Sequence, residues 1–175
     1  MADVVEVASS GRAKCRGCTK PIPKDDLRFG ERVPNPFAEG EAELTYWFHV
    51  RCAAFRRCER FVTLTPEQLE GIPDAAVLKE RAEFGVAHHR LPRIDGLERA
   101  KSGRAKCKQC KESIDAQVPR IVLAFWEEGR FGPMGFVHLN CAPAYFETPA
   151  IVPWLTHAAP EATADMASEI AAALA

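Results

Sequence analysis

Two groups of residues have the types and spacing of a metal site: Cys15-x-x-Cys18 with His49-x-x-Cys52, and Cys107-x-x-Cys110 with His138-x-x-Cys141. A Cys-x-x-Cys turn aims two sulfurs at one ion, and a distant His-x-x-Cys supplies the other two corners of the tetrahedron that zinc adopts with thiolate and imidazole donors. Each group therefore closes its own coordination shell. A catalytic zinc keeps one position for water or substrate, so the two ions are expected to hold structure, and the chain is read as non-enzymatic.

Seven cysteines fit six metal thiolates plus one further thiol, Cys58, better than they fit a disulfide framework. A redox role for the Cys-x-x-Cys pairs would not call for two downstream His-x-x-Cys partners. Cys58 has no identifiable base beside it in the sequence, and no His-x-Glu accompanies the cysteines as in zinc deaminases. Residues Met1 to Ser10 carry Asp3 and Glu6, with neither a basic start nor a long apolar run, so no secretory signal is readable. A reducing, intracellular compartment is expected: the cytoplasm or nucleoid of a bacterium, as Ala, Arg and Pro usage hints, or the nucleus of a eukaryote. No segment approaches the ~18 uninterrupted apolar residues of a membrane-spanning helix.

The elements that must position these ligands come in two copies. Ser10-Gly11-Arg12-Ala13-Lys14-Cys15 recurs as Ser102-Gly103-Arg104-Ala105-Lys106-Cys107, and the same offset carries Ile22 onto Ile114 and Arg28 onto Arg120. Between Cys18 and His49 lie 30 residues, and between Cys110 and His138 lie 27, so the second copy is shortened in a loop. Val33 to Thr45 and Phe125 to Gly135 are the expected loops. Leu27 to Val33 and Arg120 to Trp126 read as strands, with Tyr46 to Phe48 and Gly135 to Val137 as partners that deliver the histidines.

Thr65-Pro66-Glu67-Gln68 is a helix start with a capping box, stopped by Gly71, and a second helix is expected from Asp74 to Phe84, ended by Gly85. In the second copy one helix is expected from Pro160 to Leu174, with Met166, Ile170 and Leu174 on one face. The fold class is α+β: two small zinc-stabilised modules, each a short antiparallel sheet plus helices. Their expected extents are 1–86 and 99–175, joined by a linker over 87–98. Modules of this size bury little apolar surface, which the metal offsets.

The formal net charge of -1 conceals a strong separation. Arg12, Lys14, Arg16, Lys20, Lys24, Arg28 and Arg32 face only Asp25, Asp26 and Glu31 across the first knuckle. Arg99, Lys101, Arg104, Lys106, Lys108, Lys111 and Arg120 face only Glu112 and Asp115 in the second, and no Lys or Arg follows Cys141. Such clusters meet phosphates, or balance a site whose three thiolates and one zinc sum to about -1. Arg12 and Arg104, three residues before the first ligand of each copy, and Arg28 and Arg120 in the following strand are the expected phosphate contacts, because a guanidinium fork matches phosphate oxygens.

Beyond the ligands, the chain carries Ala100-Lys101-Ser102-Gly103-Arg104-Ala105-x-Cys107, Ile22-Pro23-Lys24-Asp25-x-Leu27-Arg28, Trp47-Phe48-His49 and Thr65-x-x-Gln68-Leu69-x-Gly71. On these residues it resembles the zinc fingers of the poly(ADP-ribose) polymerases and of the animal DNA ligase that shares that finger. The resemblance covers most of the chain as two tandem fingers and leaves those proteins' catalytic domains without a counterpart. It implies binding of DNA strand breaks: nicks, gaps or ends. It points to the same four arginines and makes Phe37 and Leu44 similar to the family's base-stacking pair.

A break exposes the flat face of a terminal base pair, on which an apolar side chain can stack, whereas intact duplex must first be unstacked. In the second loop Trp126, Phe131 and Met134 are the candidates. Glu39, Glu41 and Glu43 in the first loop would repel phosphate, so the second finger is expected to engage more strongly. The expected partners are broken DNA and a repair enzyme, with the protein monomeric. The competing expectation is an adaptor that binds proteins through Phe55, Phe61, Trp154 and the Ala-rich C-terminal helix.

Overall fold

The computed structural model describes residues 2–35 and 42–175. Phe37, Glu39 and Glu41 lie outside the described residues. The chain divides into two compact units, Met1–Val86 and Ala87–Ala175. The expected linker over 87–98 is not a separate segment: Ile94–Arg99 is a strand of the second unit's sheet, and Leu91, Ile94 and Leu97 are buried. Their side chains have an apolar place to go, which a connecting loop would not provide.

In the first unit, β1 (Val4–Val7), β2 (Leu27–Pro34) and β3 (Glu43–His49) form an antiparallel sheet in that order. The chain then enters α1 (Val50–Arg56), α2 (Cys58–Phe61), α3 (Pro66–Leu69) and α4 (Ala75–Ala87). Phe29, Phe48 and Phe61 make the centre of this unit's core, with ring centroids 6.1 and 6.3 Å from Phe29. Each such ring contributes roughly 1.5–3 kcal/mol by leaving water.

Two carboxylates are buried here, and both are paired. Glu31 receives Arg57 Nε and Nη2 at 2.7 Å each, and Asp3 receives Arg60 and the Arg32 backbone N–H. Gln68 closes the expected capping box with Thr65 and donates to the Asp3 carbonyl at 2.6 Å, tying α3 to β1. Gly71 takes φ 79, a left-handed value that ends the short helix at low cost. Gly85, expected as a stop, instead lies buried inside α4, where packing outweighs its weak helix propensity.

In the second unit, β4 (Ile94–Arg99), β5 (Pro119–Glu127) and β6 (Arg130–His138) repeat the sheet and its order. They are followed by α5 (Ala142–Phe146), α6 (Val152–Ala158), α7 (Pro160–Asp165) and α8 (Ala167–Leu174). Ile121, Leu123, Val137, Ile151, Trp154 and Leu155 form the core. The single helix expected from Pro160 to Leu174 is broken at Met166, whose φ of -105° and ψ of 20° leave the helical region. The bend keeps both Met166 and Ile170 buried.

The loop expected over Phe125–Gly135 is a hairpin instead. Its strands pair as far as Glu127↔Arg130, leaving only Glu128 and Gly129 at the turn, both at positive φ as a two-residue hairpin requires.

Candidate metal centres and nucleic-acid interface

Each Cys-x-x-Cys is folded by its own backbone. Cys15 donates its N–H to the Lys20 carbonyl and accepts from Thr19 N–H at 2.8 Å each, and Cys107 makes the same pair with Glu112 and Lys111 at 2.8 and 3.0 Å. Thr19 and Lys111 close the two turns at φ 63° and 70°. The histidines come from the ends of β3 and β6. His49 is the last residue before α1, and Cys52 lies in the first turn of that helix; His138 precedes a 3-10 turn that ends at Cys141.

This brings together Cys15, Cys18, His49 and Cys52, and separately Cys107, Cys110, His138 and Cys141, with the donor atoms of each set within 4.8 Å of one another. The imidazole nitrogen turned inward is Nδ1, 3.4 and 3.9 Å from the sulfurs of Cys18 and Cys52, and it repeats those distances to Cys110 and Cys141. His49 Nε2 lies 3.2 Å from the Pro21 carbonyl, and donating its proton there leaves Nδ1 as the donor to a metal.

Backbone N–H groups point at one sulfur in each set: Gly17 and His49 at Cys15 Sγ, Gln109 and His138 at Cys107 Sγ, all at 3.3–3.4 Å. The Cys15 thiol is lowered to about 5, chiefly by a hydrogen bond from Cys52. Burial opposes ionisation of Cys107, yet the N–H groups of His138, Cys110 and Gln109 bring it down to about 6. Cys52 is pushed up by its hydrogen bond to Cys15, Cys18 is raised by burial, and Cys141 is pushed up to about 12 by burial and the Cys107 charge. Holding three thiolates this close takes a dication at the centre, which is what the donor set fits.

Beside each centre lies the same three-strand arrangement. Glu6, Arg28 and His49 pair across β1, β2 and β3, as Glu98, Arg120 and His138 pair across β4, β5 and β6. Glu6 Oε1 accepts from Arg28 Nε at 3.1 Å and Nη2 at 2.5 Å, and Glu98 Oε1 accepts from Arg120 at 3.0 and 2.5 Å. Trp47 covers the Arg28 guanidinium at 3.6 Å from the ring centroid, and Phe136 covers Arg120 at 3.5 Å. The two arginines are only 8 and 7% exposed.

Arg12 and Arg104 are exposed on the knuckles. Leu44 is half-buried on β3 opposite Val33. Trp126 and Phe131 face each other across the second hairpin, ring centroids 4.9 Å apart and both half-buried, with Met134 also half-buried. Glu43 stands 3.9 Å from Arg32, which partly offsets its charge.

Sequence reasoning missed Phe125, 39% exposed opposite Gly132. It also missed the Tyr46 ring, 5.3 Å from the Arg16 guanidinium, and the glutamates that hold the strand arginines. The signal for the glutamates was available: Glu6 and Glu98 each stand nine residues before the first cysteine of their copy. Phe55, Phe61 and Trp154, the aromatic residues of the adaptor expectation, are core residues no more than 3% exposed. No helix among the described residues is long and apolar enough to cross a membrane.

Residues 6–83 match the family model for the poly(ADP-ribose) polymerase and DNA-ligase Zn-finger region. Similar proteins include poly(ADP-ribose) polymerase 1 of Gallus gallus, 32% identical over 135 residues that make up 66% of this chain and 13% of that protein. The poly(ADP-ribose) polymerase of Drosophila melanogaster is 27% identical over 136 residues, 67% of this chain and 13% of its own length. Polynucleotide 3'-phosphatase ZDP of Arabidopsis thaliana is 24% identical over 172 residues, 82% of this chain and 24% of its length. The chain thus spans 13% of the length of the polymerases it matches, and what it shares with them is the zinc-finger part.

Proposed function

We propose that the chain is a pair of tandem zinc fingers of the poly(ADP-ribose) polymerase and DNA-ligase type, each built around a Cys-Cys-His-Cys zinc site, and that they bind DNA at strand breaks. The observation that carries this reading is the duplication of one cationic constellation beside both metal centres. Each finger has an exposed arginine on the knuckle, Arg12 or Arg104, and a strand arginine held by a glutamate, Arg28 or Arg120. Core packing alone would not call for an exposed Arg at the same place in two otherwise divergent modules. In this reading the four guanidinium groups meet phosphate oxygens.

Phosphates alone do not distinguish a break from intact duplex. Phe37 and Leu44 in the first finger, and Trp126 with Phe131 in the second, supply apolar surface to a base face exposed at a nick, gap or end, at ~1–3 kcal/mol per base. The protein acts by binding and as a monomer, where genomic DNA lies, and a repair enzyme working on the same break is the partner class that fits. No observation favours the adaptor reading, since its aromatic residues are buried.

Salt dependence tests the phosphate contacts. The affinity for a nicked duplex should fall with salt on a log–log slope of about -0.9 per contact, and Arg12→Ala or Arg104→Ala should flatten it by roughly one unit while zinc content stays unchanged. An affinity indifferent to salt would mean that the cations only balance the zinc sites.

A further inference from the structure

We infer that Glu6 and Glu98 are positioning residues for DNA binding, holding Arg28 and Arg120 so that the outer fork of each guanidinium is presented to phosphate. This rests on the DNA-binding reading above and assigns a part in it to two acidic side chains. An acid near a phosphate contact ordinarily weakens binding, so its presence at the same place in both fingers needs a reason.

The geometry supplies one. A guanidinium has five N–H donors in a planar fork. One carboxylate oxygen takes the Nε and Nη2 protons on one edge. The aromatic ring of the third strand covers one face. The directions left are the outer Nη2 proton and Nη1. Among the described residues no acceptor engages Nη1 of either arginine, and neither Nη1 is enclosed without a partner. The fork is therefore fixed at one edge and backed by a ring, and the unengaged donors of each largely buried side chain, 10 and 8% exposed, are the ones that two phosphate oxygens would take. Because its rotamer is already fixed, binding loses little side-chain entropy there, which a freely rotating arginine would lose in full.

The neighbouring row of residues keeps the ring in place by different means in the two fingers, which argues that the ring's position is what matters. In the first, Val4, Gly30 and Trp47 pair across the strands; in the second, Gly96, Val122 and Phe136 do. Individual residues trade volume, and the aromatic cover on the arginine stays at 3.5–3.6 Å.

The test uses the zinc-loaded full chain and a nicked duplex oligonucleotide, comparing parent, Glu6→Gln, Glu98→Gln and the double variant over a range of salt. Coulomb attraction alone predicts tighter binding when a negative charge is removed. The positioning role predicts the opposite: the double variant binds roughly tenfold more weakly, about the loss of an oriented charge-assisted hydrogen bond, with a flatter salt slope. Equal or tighter binding at unchanged slope overturns it, and so does a fall in melting temperature with affinity intact, the mark of a carboxylate that only ties strands together.

Should the glutamine variants lose zinc, nitrogen-15 NMR of the parent decides. The Arg28 and Arg120 Nε–H signals should persist and shift when the nicked duplex is added, and signals that do not move overturn the inference. In an Arg28→Lys, Arg120→Lys background, the glutamine changes should cause no further weakening; further weakening would show the glutamates acting elsewhere. A parent that fails to bind the nicked duplex removes the DNA-binding reading and this role together, whereas binding that ignores the glutamates removes only the role.

Discussion

Gly30 and Val122 hold the same register position in the two sheets, and their difference follows from their partners. A Cβ on Gly30 would come within 2.7 Å of the Trp47 ring and 2.8 and 2.9 Å of Thr45 and Val4. Val122 instead faces Phe136 on one side and Gly96 on the other. Gly30→Ala should therefore destabilise the first finger by ~1–3 kcal/mol through overpacking, and Trp47→Phe should recover part of that loss, a coupling that denaturant melts of the single and double variants can read. Additive effects would mean that the ring does not set the limit. Cys58 is a different kind of residue. Burial pushes its thiol up to about 12, and it lies 3.1 Å from the Ala54 carbonyl, so almost none is ionised at neutral pH. Cys58→Ala should keep both zinc ions and cost about 1 kcal/mol at most; loss of a metal ion on atomic absorption would contradict its place outside the sites.

At the scale of elements, the two metal centres share a knuckle but not its cover. Cys15 and Cys52 are buried, whereas Cys110 is exposed and Cys141 half-buried. A chelator should therefore strip the second site faster than the first, which Cys107→Ala and Cys15→Ala proteins, each keeping one site, can report separately; equal rates would mean that cover does not control access. Both ligand sets were legible in the sequence because the knuckle is a local device, its hydrogen bonds spanning only a few residues. The capping box at Thr65 was legible for the same reason. Strands β1 and β4 were not. Val4–Val7 and Ile94–Arg99 are short and interrupted by charge, and their charged residues make sense only once Arg28 and Arg120 lie alongside. The second hairpin read as a loop because Gly132, Pro133 and Gly135 look like breakers. In the fold Gly132 lies under Phe125, and Gly135, at φ 116, leaves room for the Lys108 side chain.

The whole molecule is two units, each with its own sheet, core and zinc site. Metal and folding are coupled within each, so Cys15→Ala should unfold the first unit and leave the second's NMR spectrum largely intact, with Cys107→Ala doing the reverse; collapse of both by either change would mean that the units fold as one. Duplication also bears on the proposed function, because Arg12 and Arg28 of the first module recur as Arg104 and Arg120 in the second. The most direct test is the ratio of affinities for a nicked and a covalently closed circle of the same sequence at one salt concentration. Stacking on an exposed base face, at ~1–3 kcal/mol, predicts that the nicked circle is bound roughly tenfold or more tightly, and that alanine at Trp126 and Phe131 narrows the gap. Equal affinity for the two circles would contradict break recognition, even if the protein held DNA well.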